Sequence, residues 1–453
     1  MIYGLIIIGI ALAILFLRKP FWGLLFLVAL IPFHAFLLTA GSDWLNIKDN
    51  TIFSLWKEFL LAILIVRIIY DAIKARKFPI KIILADKLIA ALFIIALITI
   101  LYGTKNLAQA GWGIRYDFEL FLVYFVARAL IKNLDQVKVI FYTLLAGGAI
   151  VAIFGIIQVL FLPPDFLARC CGYSYVFEWT PDKPLQASQV IPGAEPGSIG
   201  SYRIISTLAG PNQLGIYLGT VLLLAIAAIY NTAKKSEKII YTILAILFLI
   251  PIYFTYSRSA WLAILAGLIV LAAFSLTKKY LLWFLWALLA AIALAILIVI
   301  LGAEKSDFIS NILLRTSTSG DHILRIKESL LTFIKAPWGL GVGKAGLVSL
   351  RFPENEVLIN ESWHFQILVE LGLVGFLVYV GILVDFFRKL FTKIKSITGQ
   401  YQRTFILAAL AILSAMIIHG FFLHTWTDIT LVVLVWVIMG IAINISQGEV
   451  SEG

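Results

Sequence analysis

Long runs of apolar residues, separated by shorter polar connections, fill most of the chain. A helix rises about 1.5 Å per residue, so roughly 17 to 25 apolar residues cross a hydrocarbon core about 30 Å thick. Thirteen candidate runs are present, at residues 2–17, 20–40, 52–69, 88–102, 114–131, 139–162, 209–230, 239–256, 260–276, 281–302, 362–385, 404–424 and 429–446. The first is short enough to lie partly in the membrane interface. The pattern predicts an all-α polytopic membrane protein with 12–13 transmembrane helices.

Two connections are much longer than the others. Residues 163–208 form the first long loop, in which repeated prolines and glycines exclude a long helix. Residues 303–361 form the second, in which apolar residues recur at three- and four-residue steps from Asp321, the predicted N-cap, to Pro337. This spacing predicts an amphipathic helix on the membrane surface. Arg325 falls opposite its apolar stripe and can face water or a substrate.

The composition agrees with a membrane protein. Hydrophobic residues make up 62% of the 453 residues and charged residues 13%, against about 25% charged in soluble domains. Because no internal repeat or low-complexity linker divides the chain, residues 1–453 are expected to form a single membrane domain. The formal charge of +11 does not indicate nucleic-acid binding, since the basic clusters lie between apolar runs and not on a water-facing surface.

Basic residues are concentrated in every second connection, and this sets the predicted orientation. These connections, together with the ends of the apolar runs beside them, hold 21 of the 36 Lys and Arg residues and five acidic residues. Cytoplasmic loops collect Lys and Arg, so this set is predicted to face the cytoplasm. Both long loops belong to the opposite set, and their charges nearly cancel. They are therefore predicted to lie on the outer side of the membrane.

Cysteine and metal chemistry are not expected. Cys170 and Cys171 are adjacent, which offers neither a disulfide framework nor a CxxC metal pair. The histidines lack zinc-ligand spacing, and no acidic cluster indicates a divalent ion. The sequence therefore predicts a mechanism without a metal or a cofactor.

The first polar group that can carry chemistry is residues 201–215, where the first long loop leads into the seventh apolar run. Pro211 suits the first turn of a helix. Backbone N–H groups at such a start, with Asn212 and Arg203 beside them, can bind an anion. Alternatively, Arg203 is a loop arginine that reaches the interface beside a well-capped helix.

The second group is residues 256–261, a tight outer connection between two apolar runs. The orientation rule disfavours a cation on this side, which makes Arg258, next to Ser257, unusual. A guanidinium binds two phosphate oxygens at once and stays charged, as the binding of a diphosphate requires. The alternative is an arginine that pairs with lipid headgroups.

The third group is residues 361–375, which lead into the eleventh run. His364 lies in the first helical turn, where the helix dipole opposes a positive charge and favours a neutral imidazole. A neutral imidazole can act as a general base. The alternative is an interfacial histidine beside Trp363, in which case the base is sought among acids such as Glu361 or Asp321.

Together these groups resemble the O-antigen ligase and polymerase superfamily of bacterial envelope glycosyltransferases. The matching features are, in chain order, Gly210-Pro211-Asn212, Ser257-Arg258-Ser259, Arg325 on an amphipathic helix, the stretch from Pro337 to Gly341, and His364 followed by Glu370 to Gly375. They span roughly residues 200 to 376. Phe365 stands where members of the superfamily often have Asn, so any role for that amide is absent or moved.

The resemblance implies that a glycan is transferred from undecaprenyl diphosphate to a hydroxyl acceptor, at the periplasmic face of the cell inner membrane and among its lipids. The acceptor is a sugar of the lipid A core in the ligase branch and a second lipid-linked unit in the polymerase branch. Direct displacement would invert the anomeric carbon. The implied residues are His364 as the base, Arg258, Arg325 and Arg203 at the donor diphosphate, and Asn212, Ser257 and Glu361 in support.

A transporter is the rival from another class of function. Polar residues in the middle of spans and broken helices in matching halves would indicate transport, whereas two long outer loops favour catalysis. A flippase for lipid-linked oligosaccharides would share the donor. It would form no new glycosidic bond.

Overall fold

The computed structural model describes residues 2–44, 54–104, 106–173, 202–300, 316–352 and 358–451. Within these ranges the chain is helical, and the β-type pairings are isolated bridges, between Asn133 and Ser451 and between Ala345 and Leu358. The all-α class is confirmed. Asp321 and the other residues at the start of the amphipathic helix are described by their backbone alone.

Eighteen α-helices lie in the described ranges. In chain order they are α1 (Ile2–Arg18), α2 (Pro20–Leu30), α3 (His34–Trp44), α4 (Trp56–Ala75), α5 (Leu84–Tyr102), α6 (Leu107–Phe118), α7 (Phe121–Leu130), α8 (Leu134–Phe161), α9 (Phe166–Cys171), α10 (Pro211–Asn231), α11 (Lys235–Phe254), α12 (Arg258–Ser275), α13 (Lys278–Ile300), α14 (Thr316–Lys335), α15 (Gly346–Ser349), α16 (Trp363–Lys393), α17 (Gln400–Gly420) and α18 (Ile429–Ser446).

Nine helical segments of the described ranges are long and apolar enough to cross a membrane, which confirms the polytopic class. They are α5, α8, α10, α11, α12, α16, α17, α18 and the continuous stretch Pro20–Trp44, in which a short 3-10 turn joins α2 to α3. The predicted span at residues 114–131 is instead two helices, α6 and α7, which meet at Glu119 and Leu120. The split has a physical reason, because the polar half of this run, with Arg115, turns towards the protein interior and leaves only α7 apolar. The total of 12–13 spans stays a prediction.

The helices pack through small residues, as is common where lipid removes the hydrophobic driving force. A Cβ atom added to Gly219 of α10 would lie 2.5 Å from Cγ1 of Ile264 on α12, so only glycine permits this approach. Gly215 faces Ala260 one turn earlier on both helices. The two helices therefore run parallel and start at the same end of the bundle.

That shared end is also where α16 starts. Phe274 near the end of α12 contacts Phe391 near the end of α16, with ring centroids 5.4 Å apart, so the starts of these helices lie together at the other end. Both long loops lead into helices at this end, which we call the outer end. Their common side agrees with the predicted topology, and the assignment of this side to the periplasm stays a prediction.

The second long loop contains the predicted amphipathic helix, α14. The predicted N-cap at Asp321 is wrong, because α14 starts at Thr316 and Asp321 lies inside it; no proline interrupts residues 316–321. The helix ends at Lys335, before Pro337, as predicted. Several of its apolar side chains, including Ile323 and Ile334, are exposed, whereas Ile326 and Phe333 are half-buried and Ser329 is buried against the protein.

A break in α16 anchors the stretch that follows α14. Gly372 has a φ of 67°, and a Cβ atom there would lie 2.3 Å from the carbonyl carbon of Trp338, so the stretch from Pro337 packs directly on this break. The N–H of Leu340 donates to the carbonyl of Val369 over 2.8 Å. The buried Glu370 accepts a hydrogen bond of 2.8 Å from the N–H of Ala345. These contacts fix the position of α14 relative to α16.

The first long loop is described in part. Its described part contains α9, a helix of six residues, and the exclusion of a long helix from the remainder stays a prediction. Cys170 and Cys171, for which no cysteine chemistry was expected, are joined to each other by a disulfide. The described ranges leave out residues 174–201 of this loop. They also leave out residues 301–315 and 353–357, in and just before the second long loop.

Candidate functional site

Arg203 connects the first two predicted groups. Its side chain is 7% exposed. Nε donates to the carbonyl of Thr255 over 2.7 Å, and a terminal nitrogen donates to Oδ1 of Asn212 over 2.7 Å. Asn212 is the second residue of α10, where Pro211 opens the helix. Arg203 therefore joins the start of α10 to the turn that precedes α12.

Ser257 and Arg258 open α12. Ser257 is the N-cap, and its Oγ accepts from the N–H of Ala260 over 3.4 Å. Tyr256 before it has a φ of 48°, which turns the chain sharply out of α11. Arg258 follows as the first helical residue and is half-buried. The predicted Ser-Arg turn is thus a capped helix start that projects an arginine at the outer end.

Arg325 lies against the segment that leads into α16. One terminal nitrogen donates to the carbonyl of Ile359 over 2.9 Å, and Nε is 3.2 Å from Oε1 of Glu361. Oε2 of Glu361 is 2.9 Å from Nδ1 of His322, one turn earlier on α14. The hydrogen bond from His322 is the main cause that lowers the pKa of Glu361 below its ordinary value. The Arg325 side chain is 34% exposed, and within the described ranges its contacts use two of the three guanidinium nitrogens.

His424 completes this cluster from the turn between α17 and α18. Its Nδ1 is 2.9 Å from Oε1 of Gln366, and Nε2 of Gln366 donates to Oδ1 of Asp117 over 3.1 Å. Because an amide oxygen only accepts, Nδ1 of His424 carries the proton and Nε2 carries the lone pair. In the described ranges this Nε2 is buried and makes no hydrogen bond.

The surroundings of His424 keep it neutral. Burial is the main cause that lowers its pKa to about 4, while Glu361 acts in the opposite direction and Arg325 acts in the same direction. A neutral imidazole with one orienting hydrogen bond and one unpaired nitrogen has the protonation state of a general base, and because this nitrogen is buried the role would require a side chain beside it to move. We refer to His322, Arg325, Glu361 and His424 as the outer cluster.

His364 has different surroundings. Its Nε2 is 2.8 Å from the carbonyl of Ile417 on α17, and its Nδ1 is 3.1 Å from the hydroxyl of Tyr379, which lies 15 residues further along α16. Its ring packs on Phe421 with centroids 4.5 Å apart. Both ring nitrogens are therefore engaged by the protein. The base role of His364 stays a prediction, and it would require one of these hydrogen bonds to open.

Half of the outer cluster is predicted from the sequence. Arg325 and Glu361 are among the predicted residues, whereas His322 and His424 lack zinc-ligand spacing and belong to no predicted group. His322 could have been found, because it precedes Arg325 by three residues and so shares its side of α14. No sequence signal points to His424, since it meets Glu361 only through the packing of α16 and α17.

Three residues of the outer cluster, His322, Arg325 and Glu361, lie in a range that matches a family model, and His424 follows that range. Residues 243–380 match the family model of O-antigen ligase. The predicted resemblance is confirmed over that range, which includes Arg258, Arg325, Glu361 and His364. Arg203 and Asn212 precede it. No curated protein matches the chain.

The O-antigen ligase match indicates an enzyme of the glycosyltransferase type, with ligase or polymerase activity, in a multi-pass membrane protein. Within the ranges that the structure describes, no group of three His, Cys, Asp or Glu residues is placed to hold a metal ion. The metal-free mechanism stays a prediction.

Proposed function

We propose that the protein is an O-antigen ligase that moves a glycan from undecaprenyl diphosphate to a sugar hydroxyl of the lipid A core at the periplasmic face of the inner membrane. The outer cluster carries this proposal. It joins an open arginine, a carboxylate and an imidazole with a free nitrogen, and three of its four residues lie in the O-antigen ligase match.

The donor diphosphate is assigned to the arginines. As the bond between the anomeric carbon and the phosphate oxygen breaks, negative charge develops on the leaving diphosphate, and fixed cations stabilise it. Arg325 and Arg258 are proposed to contact the phosphate oxygens. Arg203, whose guanidinium holds Asn212 and the Thr255 carbonyl, is proposed to position the start of α10 and the adjoining turn.

The acceptor side needs a proton acceptor. The acceptor oxygen attacks the anomeric carbon, the diphosphate leaves with the bonding electrons, and the hydroxyl proton passes to a base. His364 is the base that the sequence predicts. The geometry favours His424 or Glu361, because both interact electrostatically with Arg325 and because Nε2 of His424, although buried, has no hydrogen-bond partner in the described ranges. Direct displacement inverts the anomeric configuration.

The test is reconstitution of the purified chain with a lipid-linked glycan and one of two acceptors. We expect the glycan to appear on the lipid A core. Extension of a second lipid-linked unit instead would assign the protein to the polymerase branch. If the lipid-linked glycan crosses the bilayer and neither acceptor is extended, the protein is a flippase and the proposal is wrong.

A further inference from the structure

A cavity of about 250 Å3 lies beside the outer cluster. Its wall includes Lys57 of α4, Trp112 and Arg115 of α6, Arg351 of the second long loop, and Thr427 before α18. One water needs only about 10–15 Å3 of such space, so the cavity has room for an organic ligand. The proposed donor arginines are not among the described residues of this wall.

Charges of both signs lie in or directly behind the wall. Nζ of Lys57 is 2.5 Å from Oε1 of Glu58, and Nε of Arg115 donates to the same oxygen over 3.0 Å. Arg115 also lies 3.6 Å from Oε2 of Glu119. As far as the described residues extend, Oε2 of Glu58 and Oε1 of Glu119 are buried without a hydrogen bond. These two oxygens have almost no exposed surface, so they lie behind the wall and do not face the cavity.

Two guanidinium groups lie against the ring of Trp112. Cζ of Arg351 is 4.3 Å from the ring centroid, and Cζ of Arg115 is 4.8 Å from it. Arg351 also donates to the hydroxyl of Tyr116 over 3.0 Å. No carboxylate of the described ranges forms an ion pair with Arg351. Its aromatic contacts thus hold a positive charge at the cavity, and within the described ranges the only hydrogen bond of its side chain is the one to Tyr116.

We propose that this cavity binds a sugar ring that carries a carboxylate or a phosphate. Lys57, Arg115 and Arg351 outnumber the carboxylates of Glu58 and Glu119, and this excess selects an anionic group. Tyr116 and Thr427 place hydroxyl oxygens in the same wall, and these can accept hydrogen bonds from the hydroxyls of a sugar ring. The assignment of this sugar to the acceptor glycan rests on the proposed function.

Thr427 places the cavity next to the outer cluster. It lines the cavity, and its N–H and hydroxyl both donate to the carbonyl of His424, over 3.1 Å and 2.8 Å. On α6, Asp117 follows the cavity residue Tyr116 and holds Gln366, which orients the His424 ring. The cavity and the outer cluster therefore share a wall, so a sugar bound in one lies beside the other.

Binding is tested on the purified full-length chain in detergent, without donor, by calorimetric titration. The probes are glucuronic acid, glucose 6-phosphate, glucose and inorganic phosphate. We expect both acidic sugars to bind at least about tenfold more tightly than glucose, because they add a charged hydrogen bond, and at least about tenfold more tightly than phosphate, because they add the sugar ring and its hydroxyls. Glucose that binds equally well would remove the anionic preference. Phosphate that binds equally well would mark a simple anion site. Either result overturns the inference.

Arg351→Gln is the decisive variant, because Arg351 is exposed and its loss leaves no buried carboxylate of the described ranges unpaired. We expect affinity for the acidic sugars to fall about tenfold and that for glucose to stay the same. The matched control is Arg169→Gln, which removes an exposed arginine of the first long loop that pairs with Asp165. Thermal unfolding verifies that both variants are folded. Unchanged affinity in a folded Arg351→Gln protein would exclude the proposed site.

The sugar-binding cavity and the proposed function can be disproved independently of each other. Sugar binding is measured without glycan transfer, so a chain that transfers glycan but shows no acidic-sugar preference overturns the cavity assignment alone. A chain that binds acidic sugars but extends neither acceptor overturns the proposed function. In an active enzyme, Arg351→Gln should raise KM for an acidic acceptor about tenfold and leave donor binding unchanged.

Discussion

Arg128 at the end of α7 and Arg325 in the outer cluster are both held by acidic and carbonyl oxygens, yet their surroundings differ. Arg128 is fully buried, and all three of its nitrogens donate: to Asp86 over 2.6 Å, to the carbonyl of Lys81 over 2.6 Å and to Asn444 over 3.2 Å. Arg325 keeps a third of its side chain exposed and uses two nitrogens. A saturated arginine fixes helices, whereas one with open donors can bind a ligand.

The partners of Arg128 show why it is structural. Asp86 also accepts from the hydroxyl of Tyr124 over 2.9 Å and from the N–H of Ile83 over 2.9 Å. Asn444 donates back to the carbonyl of Arg128 over 2.8 Å. This closed network ties α5, α7 and α18 together at the end opposite the outer cluster. If Arg128 or Asp86 alone is replaced, its partner is left as an unpaired buried charge.

The largest expected effect is therefore that of Arg128→Met on stability. Removal of one partner of a buried ion pair typically costs about 3–5 kcal/mol, so we expect little folded protein and a strongly lowered unfolding temperature. Arg325→Met should unfold near the temperature of the unaltered protein and lose transfer. Thermal unfolding in detergent and size-exclusion chromatography measure both. Equal stability of the two variants would contradict the contrast between these arginines.

The next effect concerns the proton acceptor. If His424 is the base, His424→Gln should lose roughly 10² to 10⁴ in single-turnover rate and keep its donor affinity, since general-base catalysis contributes about that much. The sequence predicts the same loss for His364→Ala. Because His364 contacts the Ile417 carbonyl and Tyr379, a packing role would instead lower the unfolding temperature of His364→Ala and keep most of its rate.

The dependence of rate on pH separates the two histidines further. With the pKa of His424 at about 4, a His424 base is already deprotonated at pH 6, so the rate should be flat across the ordinary histidine range. A rate that rises between about pH 6 and 7, and a profile that His364→Ala abolishes, would restore His364 as the base. If neither His424→Gln nor His364→Ala loses transfer rate, Glu361 is the remaining candidate for the base, and Glu361→Gln is the variant to measure.

Arg258→Lys keeps the charge and is expected to lose about a hundredfold in rate. An ammonium cannot reproduce the two parallel hydrogen bonds that a guanidinium makes to a diphosphate, and one such contact is worth about 3 kcal/mol in the transition state. Donor affinity should fall together with the rate. Near-normal turnover in Arg258→Lys would mean that Arg258 only anchors the start of α12 among lipid headgroups.

These contrasts show which features of the fold could be predicted from the sequence and which could not. Apolar run length predicted the helices because a bilayer fixes their length and composition. The same rule joined α6 and α7 into one span, since it does not register that Arg115 turns inward to Glu58. Arg128 counted only as one of many cytoplasmic basic residues, although its burial makes it a structural centre. Buried charge depends on which helices meet, and spacing along the chain does not contain that information.

The candidate site divides in the same way. Arg325 and Glu361 could be predicted because each belongs to a local pattern, an amphipathic helix or a helix start. His424 could not, because its role depends on Gln366 and on an open nitrogen that only the packed structure defines. His364 matched the expected pattern but is held on both sides by the protein.

The smallest expected effect is the dependence of stability on pH at the outer cluster. The pKa of His424 is lowered from 6.5 to about 4 in the folded chain, so between these values the unfolded chain binds the proton and the folded chain does not. Stability should therefore fall as the pH drops from 6.5 to 4. The pKa of Glu361 is also lowered, mainly by His322, and its contribution is present above the ordinary value of 4.5 and lost as the pH falls through the folded pKa.

The protonation of His424 and that of Glu361 therefore both lower stability as the pH falls, and they act in different pH ranges. His424→Gln should unfold with a shallower pH dependence between 6.5 and 4, by about one to two degrees, whereas Glu361→Gln should differ from the parent in slope only below 4.5. Unfolding temperatures measured at pH 7, 5.5, 4.5 and 3.5 resolve both. Removal of His322 by His322→Gln should reproduce the acid-range effect of Glu361→Gln, because it deletes the hydrogen bond that lowers the carboxyl pKa. Parallel curves for the parent and His424→Gln above pH 4.5 would mean that the pKa of His424 is not lowered in the folded protein, and the flat rate profile expected for a His424 base would then be wrong.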